Sequence, residues 1–506
     1  MSKLSDLDNI VIVGGDVTGW TVAAALANSL RGHRCKVTLL DVPDIINVEP
    51  VQYTAPSTLE FFRQIGVDED ELIRQTGATL RLGTGIHYRN GATDHRILAF
   101  GKQGGSVGVV PFHHYVARQR LFGVETNLNR FSATAMAARE GRIVRANDPG
   151  ASTLPPISYG LNMNTEKLTQ LLRNNATING VRALRQGIDS VDLHPASGYI
   201  RQLRLTDEST LAGDLFIDCS GEAALLIGAA MGVAFEDWRE YLPCSRTVAA
   251  TTKSDHDETP VHHIAAQDNG WISSTPLRYR AAHRFLYPPE FVTDDEAAAR
   301  LRAHLGVFEA DAFSTHQMPS GRRRELWACN CVAVGSAAAF VEPLDLSTLH
   351  MTQRAAMQLA AMLPATPATP ELATEFTRRV GEEYESLRDF THLHYVASFW
   401  RRSEFWREMA AYKRPQSLQR KIDLYRSRGH IRSRDNDVWP LETWVAALMS
   451  ADIWPDGYHP LLDSFDSQQL DEHFGRMRQA TAQATSRMRP HREYLAALDN
   501  SVPRRK

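Results

Sequence analysis

No apolar run in this sequence approaches the roughly 18 uninterrupted residues of a membrane-spanning helix. Nor does the chain open on a charged segment followed by an apolar core and a small-residue cleavage site, so a cytoplasmic setting is expected, with no membrane as partner. Cysteine is scarce: Cys35, Cys219, Cys244, Cys329 and Cys331 are odd in number and unevenly spaced, which argues against a disulfide framework. Cys329 and Cys331, separated by one residue on an expected strand, should face the same side as buried structural residues. No second Cys/His pair stands at metal-ligand spacing, so no metal is expected. An excess of charge of either sign is also missing. With a net charge of −3 there is no electrostatic reason to expect nucleic acid or an anionic membrane as partner. Internal repeats and low-complexity blocks are absent too.

What is present is ordinary globular composition, 43% apolar and 23% charged, in a chain of 506 residues, long enough for two packed domains. Residues 9 to 41 read as strand, turn, helix and strand. "NIVIV" ends in Gly14 and Gly15, "WTVAAALANSLR" has helical composition, and "CKVTLLD" ends in Asp41. Asp41 stands about twenty positions beyond Gly19, the spacing of a ribose-binding acid in a dinucleotide fold. In the fingerprint G-x-G-x-x-G, Gly14 and Gly19 fill the first and third glycine places, and Asp16 holds the second. The second glycine is where backbone approaches the pyrophosphate, so Asp16 puts bulk and negative charge where helix N–H groups should meet phosphate.

Two later segments have the same character. "TLAGDLFIDCSGEAALLIGAAMG" (210–232) reads as a strand, a Ser-Gly turn and a small-residue helix. "CNCVAVGSAAAFVEPLDLSTLHMTQRAAMQLAAML" (329–363) reads as a strand, a turn at Gly335, a loop and a long helix. The expected architecture is α/β, with a discontinuous Rossmann-type FAD domain over 1–95, 161–245 and 320–368. A mixed, largely helical substrate region is expected over 96–160, 246–319 and 369–506.

Jointly these segments carry a resemblance. "VGGDVTGWTVAAALA", with Trp20 after Gly19, resembles the Gly-Gly-x-x-x-Gly-Trp opening of flavin-dependent tryptophan halogenases. "GDLFIDCSGEAALLIG" is similar to their Asp-Leu-Phe-Ile-Asp-Cys-Ser-Gly strand, and "WACNCVAVGSAAAFVEPLDLSTLH" to their Asn-Cys-Val segment ending in Phe-x-Glu-Pro-Leu-Glu-Ser-Thr. The resemblance, in order and spacing across nearly the whole chain, implies a flavoprotein-monooxygenase-like fold and an enzyme using reduced FAD, dioxygen and chloride or bromide. Hypohalous acid then reaches an enclosed, electron-rich aromatic such as tryptophan or another indole. It also implies a separate flavin reductase as partner and a homodimer.

The same resemblance assigns candidate residues. Gly14, Gly15, Gly19, Trp20, Asp41, Thr54, Gly335, Ser347 and Thr348 fall to the cofactor, and amides near Ser347 and Thr348 to a halide nest. Arg81 stands where the family has its catalytic lysine. It donates hydrogen bonds but stays protonated, so it does not form a haloamine. Asp345 stands where the family has its glutamate, one methylene shorter. His113, His114, Phe399, Trp400 and Trp406 are expected against the substrate. In "GWISSTPL" Trp271 and Pro276 remain, whereas Ser273 and Thr275 replace a second tryptophan and an isoleucine; "VQYTAPS" keeps Thr54 and Pro56 of the flavin loop. These departures leave two alternatives open: flavin-dependent oxygenation or oxidation without halogenation, and a flavin-free homologue acting as a binding protein.

Overall fold

The computed structural model describes residues 7–43, 45, 49–87, 95–124, 126–148, 150–253, 259–306, 313–364, 370–396, 403–433 and 437–500. The chain divides into two compact units: Met1–Ala78, Met163–Ser245 and His316–Glu385 form the first, and Thr79–Asn162, Arg246–Thr315 and Ser386–Lys506 the second.

The first unit is built on a six-stranded sheet in the order Trp327–Ala328, Cys331–Ala333, Leu215–Asp218, Asn9–Val13, Lys36–Asp41 and Arg182–Arg185. All pairings are parallel except the Trp327–Ala328/Cys331–Ala333 hairpin. Ile10 to Val13 and Leu215 to Asp218 are buried throughout, as strands covered on both faces require. Helix Val17–Ser29 is buried from Val17 to Ala27, which explains its run of small residues. From the central strand the chain passes to Lys36–Asp41 on one side, and Leu215–Asp218 lies on the other. The crevice at the carboxyl ends of Asn9–Val13 and Leu215–Asp218 is therefore the switch point where such sheets bind ligands.

One expectation is corrected. Cys329 and Cys331 do not share a strand, because Ala328 pairs with Cys331 and Cys329 sits in the intervening tight turn with φ of 50°. All five cysteines are free thiols.

The second unit contains most of the largest sheet, ordered Ser314–Gln317, Arg246–Lys253, Arg280–Tyr287, Gly270–Pro276, His262–Gln267, Gly83–His87 and His95–Ala99. Val248, Ala250, Ile272, Phe285 and Tyr287 on one face pack against Val292, Ala297 and Leu301, the last two from helix Asp294–Leu305. Residues 79–87 and 95, expected with the nucleotide-binding region, fall in this unit. The reason is that Gly83–His87 pairs in parallel with His262–Gln267 and antiparallel with His95–Ala99. Residues up to Glu385 of the long helix Pro370–Val396 belong to the first unit, further along the chain than the expected boundary at 368.

Candidate active site

In the first unit the glycine turn is shaped by close approach. Gly14 has φ of 131°, and a Cβ there would lie 2.2 Å from the Cys219 carbonyl oxygen. A Cβ on Gly19 would lie 1.9 Å from the Gly14 carbonyl oxygen, so the helix comes within touching distance of the turn only because that position is bare. Asp41 lies against the same turn, since a Cβ on Gly15 would fall 1.9 Å from its Oδ1. At Gly335 (φ of 67°) a Cβ would meet the Thr18 methyl at 2.5 Å, which brings the third expected segment to the start of the first helix. Trp20 is buried beneath the Arg173 guanidinium, 5.6 Å from its ring centre, and Thr54 is fully buried.

Asp16 is the N-cap of helix Val17–Ser29. Its backbone is extended, and its Oδ1 accepts from Thr18 N at 2.9 Å and Gly19 N at 3.2 Å. The residue is well suited to this, as aspartate satisfies amides that have no partner within the helix. Burial pushes its carboxyl up to about 6 despite the two amide bonds that pull the other way, and nearby Glu49 adds to the rise. Next to it, Asp218 closes the end of strand Leu215–Asp218 in the same manner. Its Oδ1 accepts from Ser220 N at 3.0 Å, and its Oδ2 accepts from Leu226 N and Ile227 N, both at 2.8 Å, at the start of the π-helical turn Leu225–Ala230.

The other helix start, that of Thr348–Ala361, is arranged differently. Ser347 is its N-cap residue but makes no capping bond, because its hydroxyl is exchanged with the backbone of Tyr53 at 3.1 Å in both directions. Ser347 N donates to the Tyr53 carbonyl at 3.1 Å, Thr348 N to Glu49 Oε2 at 3.2 Å and Leu349 N to Gln52 Oε1 at 3.3 Å. Amides expected to hold a halide are thus bonded within the chain, one of them to a carboxylate. Tyr53 also donates its hydroxyl to the Pro343 carbonyl. Glu342 accepts from Cys244 N at 2.7 Å, and Asp345 is buried between Leu344 and Leu346.

In the second unit Arg81 ends strand Thr79–Arg81 and is wholly buried. Its Nη2 donates to Thr84 Oγ1 at 2.8 Å, and the guanidinium carbon lies 5.1 Å from the Phe100 ring centre. Trp271 and Trp406 meet edge to face with ring centres 5.0 Å apart, joined by Tyr395 at 5.8 Å from Trp271, and Trp406 Nε1 donates to the Gln267 carbonyl at 2.7 Å. His113 and His114 are buried on helix Phe112–Leu121, with His113 Nε2 at 2.8 Å from the Gly429 carbonyl. Burial, then the imidazoles of His113, His430 and His459, push His114 down to about 3. Phe399 and Trp400 lie outside the described residues.

Gly14, Gly15, Gly19, Trp20, Asp41, Thr54, Gly335, Asp345, Ser347 and Thr348 therefore belong to the first unit, and Arg81, His113, His114 and Trp406 to the second. Missed from the sequence were Asp16 as a cap and Glu49 as an acceptor. Asp before a helical run is itself an N-cap signal, whereas nothing near Glu49 points to an amide 299 positions away. The bare Gly14 and Gly19 permit the tight turn and close helix packing of a dinucleotide-binding fold, and Asp16, at the place of closest approach, sets a condition on it by holding two first-turn amides. Among the described residues no group of three or more His, Cys, Asp and Glu is placed to hold a metal ion, and no helix is long and apolar enough to cross a membrane.

Comparison with known proteins bears on the family. The chain is 30% identical to tryptophan 6-halogenase ThaL of Streptomyces albogriseolus, over 83% of this chain and 82% of the relative. Among solved structures it resembles BrvH, a flavin-dependent halogenase from Brevundimonas sp. BAL3, with a TM-score of 0.91 and 31% identity over 97% of this chain and 99% of that one. A flavin-dependent halogenase from Xanthomonas campestris gives a TM-score of 0.92 with 29% identity, over 98% of this chain and 99% of that one. A family model described as tryptophan halogenase matches residues 9–467, and the chain accordingly belongs to the flavin-dependent tryptophan halogenase family.

Proposed function

We propose that this chain halogenates an electron-rich aromatic of the indole class, using reduced FAD delivered by a separate reductase, dioxygen, and chloride or bromide. The observation that carries the reading is the convergence of Gly14, Gly19, Asp41 and Gly335 on one crevice of the first unit. When bound, the reduced flavin supplies with dioxygen the oxidising equivalents that turn halide into an electrophile. Gly14 and Gly15 shape the turn that the dinucleotide meets, and Asp41 receives its ribose.

The protein's own residues then act by charge and hydrogen bonding. Arg81, buried and permanently protonated, donates to the oxygen carried by the electrophilic halogen and so favours its transfer; it holds no halogen covalently. Asp345 accepts the ring proton released on substitution. Burial of both groups away from bulk water strengthens these interactions.

The test supplies the purified protein with a flavin reductase, FAD, NADH, air and bromide, and offers a panel of indoles, phenols and pyrroles. Mass spectrometry should find products in which bromine replaces hydrogen, with bromine's isotope doublet. No halogenated product across the panel would overturn the reading. A second reading, oxygenation, is supported by the Glu49 carboxylate on Thr348 N, where a halide would be repelled. It predicts hydroxylated product whose yield does not depend on halide.

A further inference from the structure

In a strand-turn-helix of this kind the first-turn amides are where a pyrophosphate docks. Here those of Thr18 and Gly19 already lie 2.9 and 3.2 Å from Asp16 Oδ1, and the Asp16 side chain is partly buried with Glu49 close enough to repel it. We propose that Asp16 takes up a proton when a dinucleotide docks at this helix start, so that flavin binding by this chain is proton-coupled. The inference rests on the flavin reading above and adds to it the protonation state in which the site accepts its ligand.

The physical reason lies in what the two forms of the carboxyl can do. Ionised, Asp16 is acceptor-only and meets the phosphates with like charge. Protonated, it keeps one oxygen as the helix cap and offers an O–H donor to a phosphate oxygen. Among the described residues, the groups named next do not supply a compensating cation. Glu49 precedes strand Val51–Tyr53, Asp41 closes strand Lys36–Asp41 against Gly15, and Cys219 follows strand Leu215–Asp218, its thiol pushed up by burial and by Asp16. Asp218 spends its carboxylate on the Ser220 amide and the helical turn after it. Of the two helices packed on Val17–Ser29, Thr165–Ile178 carries Glu166, Lys167 and Arg173, and Arg173 lies over Trp20. Thr348–Ala361 carries His350, which is buried, and the partly exposed Arg354, which is bound twice to Glu383 at 2.9 and 2.7 Å. Burial holds the Asp16 carboxyl at about 6, which makes a proton available close to neutral pH.

The experiment is a fluorescence titration of oxidised FAD into the full chain between pH 5.5 and 8, for the wild type, Asp16→Asn and Asp16→Gly, with riboflavin as a probe that lacks the phosphates. For the wild type, one linked proton predicts a dissociation constant that rises about tenfold per pH unit above about pH 6. Asp16→Asn, which keeps the cap oxygen and offers an N–H donor, should bind FAD tightly with no such slope, and riboflavin should show none in any protein. Wild-type FAD binding as flat as that of Asp16→Asn, or a riboflavin slope equal to that of FAD, would overturn the proton coupling alone. Absence of saturable flavin binding by the wild type and both variants at every pH would overturn the flavin reading and this inference together. Asp16→Asn also guards against misreading Asp16→Gly, should loss of the cap weaken the fold.

Discussion

Two helix starts in the first unit solve the same problem by opposite routes. Helix Val17–Ser29 takes its cap from the residue immediately before it, Asp16, whereas helix Thr348–Ala361 leaves Ser347 engaged with Tyr53 and borrows Glu49 and Gln52, 299 and 297 positions away in sequence. Each start ends with a carboxylate on its amides. The difference teaches that an anion position can be filled by a local choice that any reading of helix signals could find, or by a tertiary contact that leaves no local trace. It also separates two costs: Asp16 is partly buried and repelled by Glu49, while Glu49 accepts from the Thr348 amide alone, its neighbours being held by Tyr53 and Gln52.

The largest expected effect is on stability against pH. In the folded chain Asp16 holds its proton up to about pH 6, and in the unfolded chain only to about 3.8. Between those values the folded state binds more protons. Stability is therefore full below about pH 4, falls as pH rises through 6, and stays lower above it by about 3 kcal/mol. Asp16→Asn should remove that loss, so urea unfolding at pH 7.5 should favour the variant, with the gain vanishing near pH 4. Equal stability of the two proteins at both pH values would mean that the Asp16 charge is compensated.

Next in size, Asp16→Gly is expected to tighten FAD binding at pH 7.5 by about 2 kcal/mol, the scale of relieving a polar conflict, even as loss of the cap costs about 1 kcal/mol of stability. Titration and unfolding of the same preparation check both signs. Glu49→Ala should behave in the opposite sense, losing about 1–2 kcal/mol because Thr348 N gives up its acceptor. A Glu49→Ala protein more stable than the wild type would show that repulsion from Asp16 outweighs the amide bond. Smaller still, Arg81→Lys combined with Asp345→Glu should raise halogenation about tenfold, which corresponds to about 1.4 kcal/mol in the barrier, read as initial rate of brominated product. In the second unit the pH sense reverses. His114 is pushed down to about 3, so its contribution is lost as pH falls from its ordinary range, and His114→Leu should soften acid unfolding below pH 6.

Much of the first unit was legible because its strands are short apolar runs ending in glycine turns, and because parallel strands buried on both faces leave a continuous apolar signature. Asn9–Val13, Lys36–Asp41, Leu215–Asp218 and Cys331–Ala333 fall where the pattern puts them. Gly14 and Gly19 were readable from spacing, and the structure adds what each bare Cα touches. Asp16 was read through the fingerprint as an intruder in the pyrophosphate position, although the same residue satisfies the N-cap rule. Both statements hold, since the carboxylate caps the amides that the phosphate would use. Cys329 was misplaced because a two-residue turn between strands looks, in sequence, like one strand. Residues 79–95 were assigned to the nucleotide-binding region because a parallel partner 178 residues on, such as His263 for Gly85, has no local signature. Glu49 and Gln52 were invisible for the same reason.

The most direct measurement is anaerobic calorimetric titration of the full chain with reduced FAD at pH 6 and pH 8. Saturable binding, tighter at pH 6, is the predicted result and would place both the cofactor and the Asp16 proton in the working enzyme. No binding at either pH, by the wild type or by Asp16→Gly, would contradict a flavin-dependent activity for this member of the family.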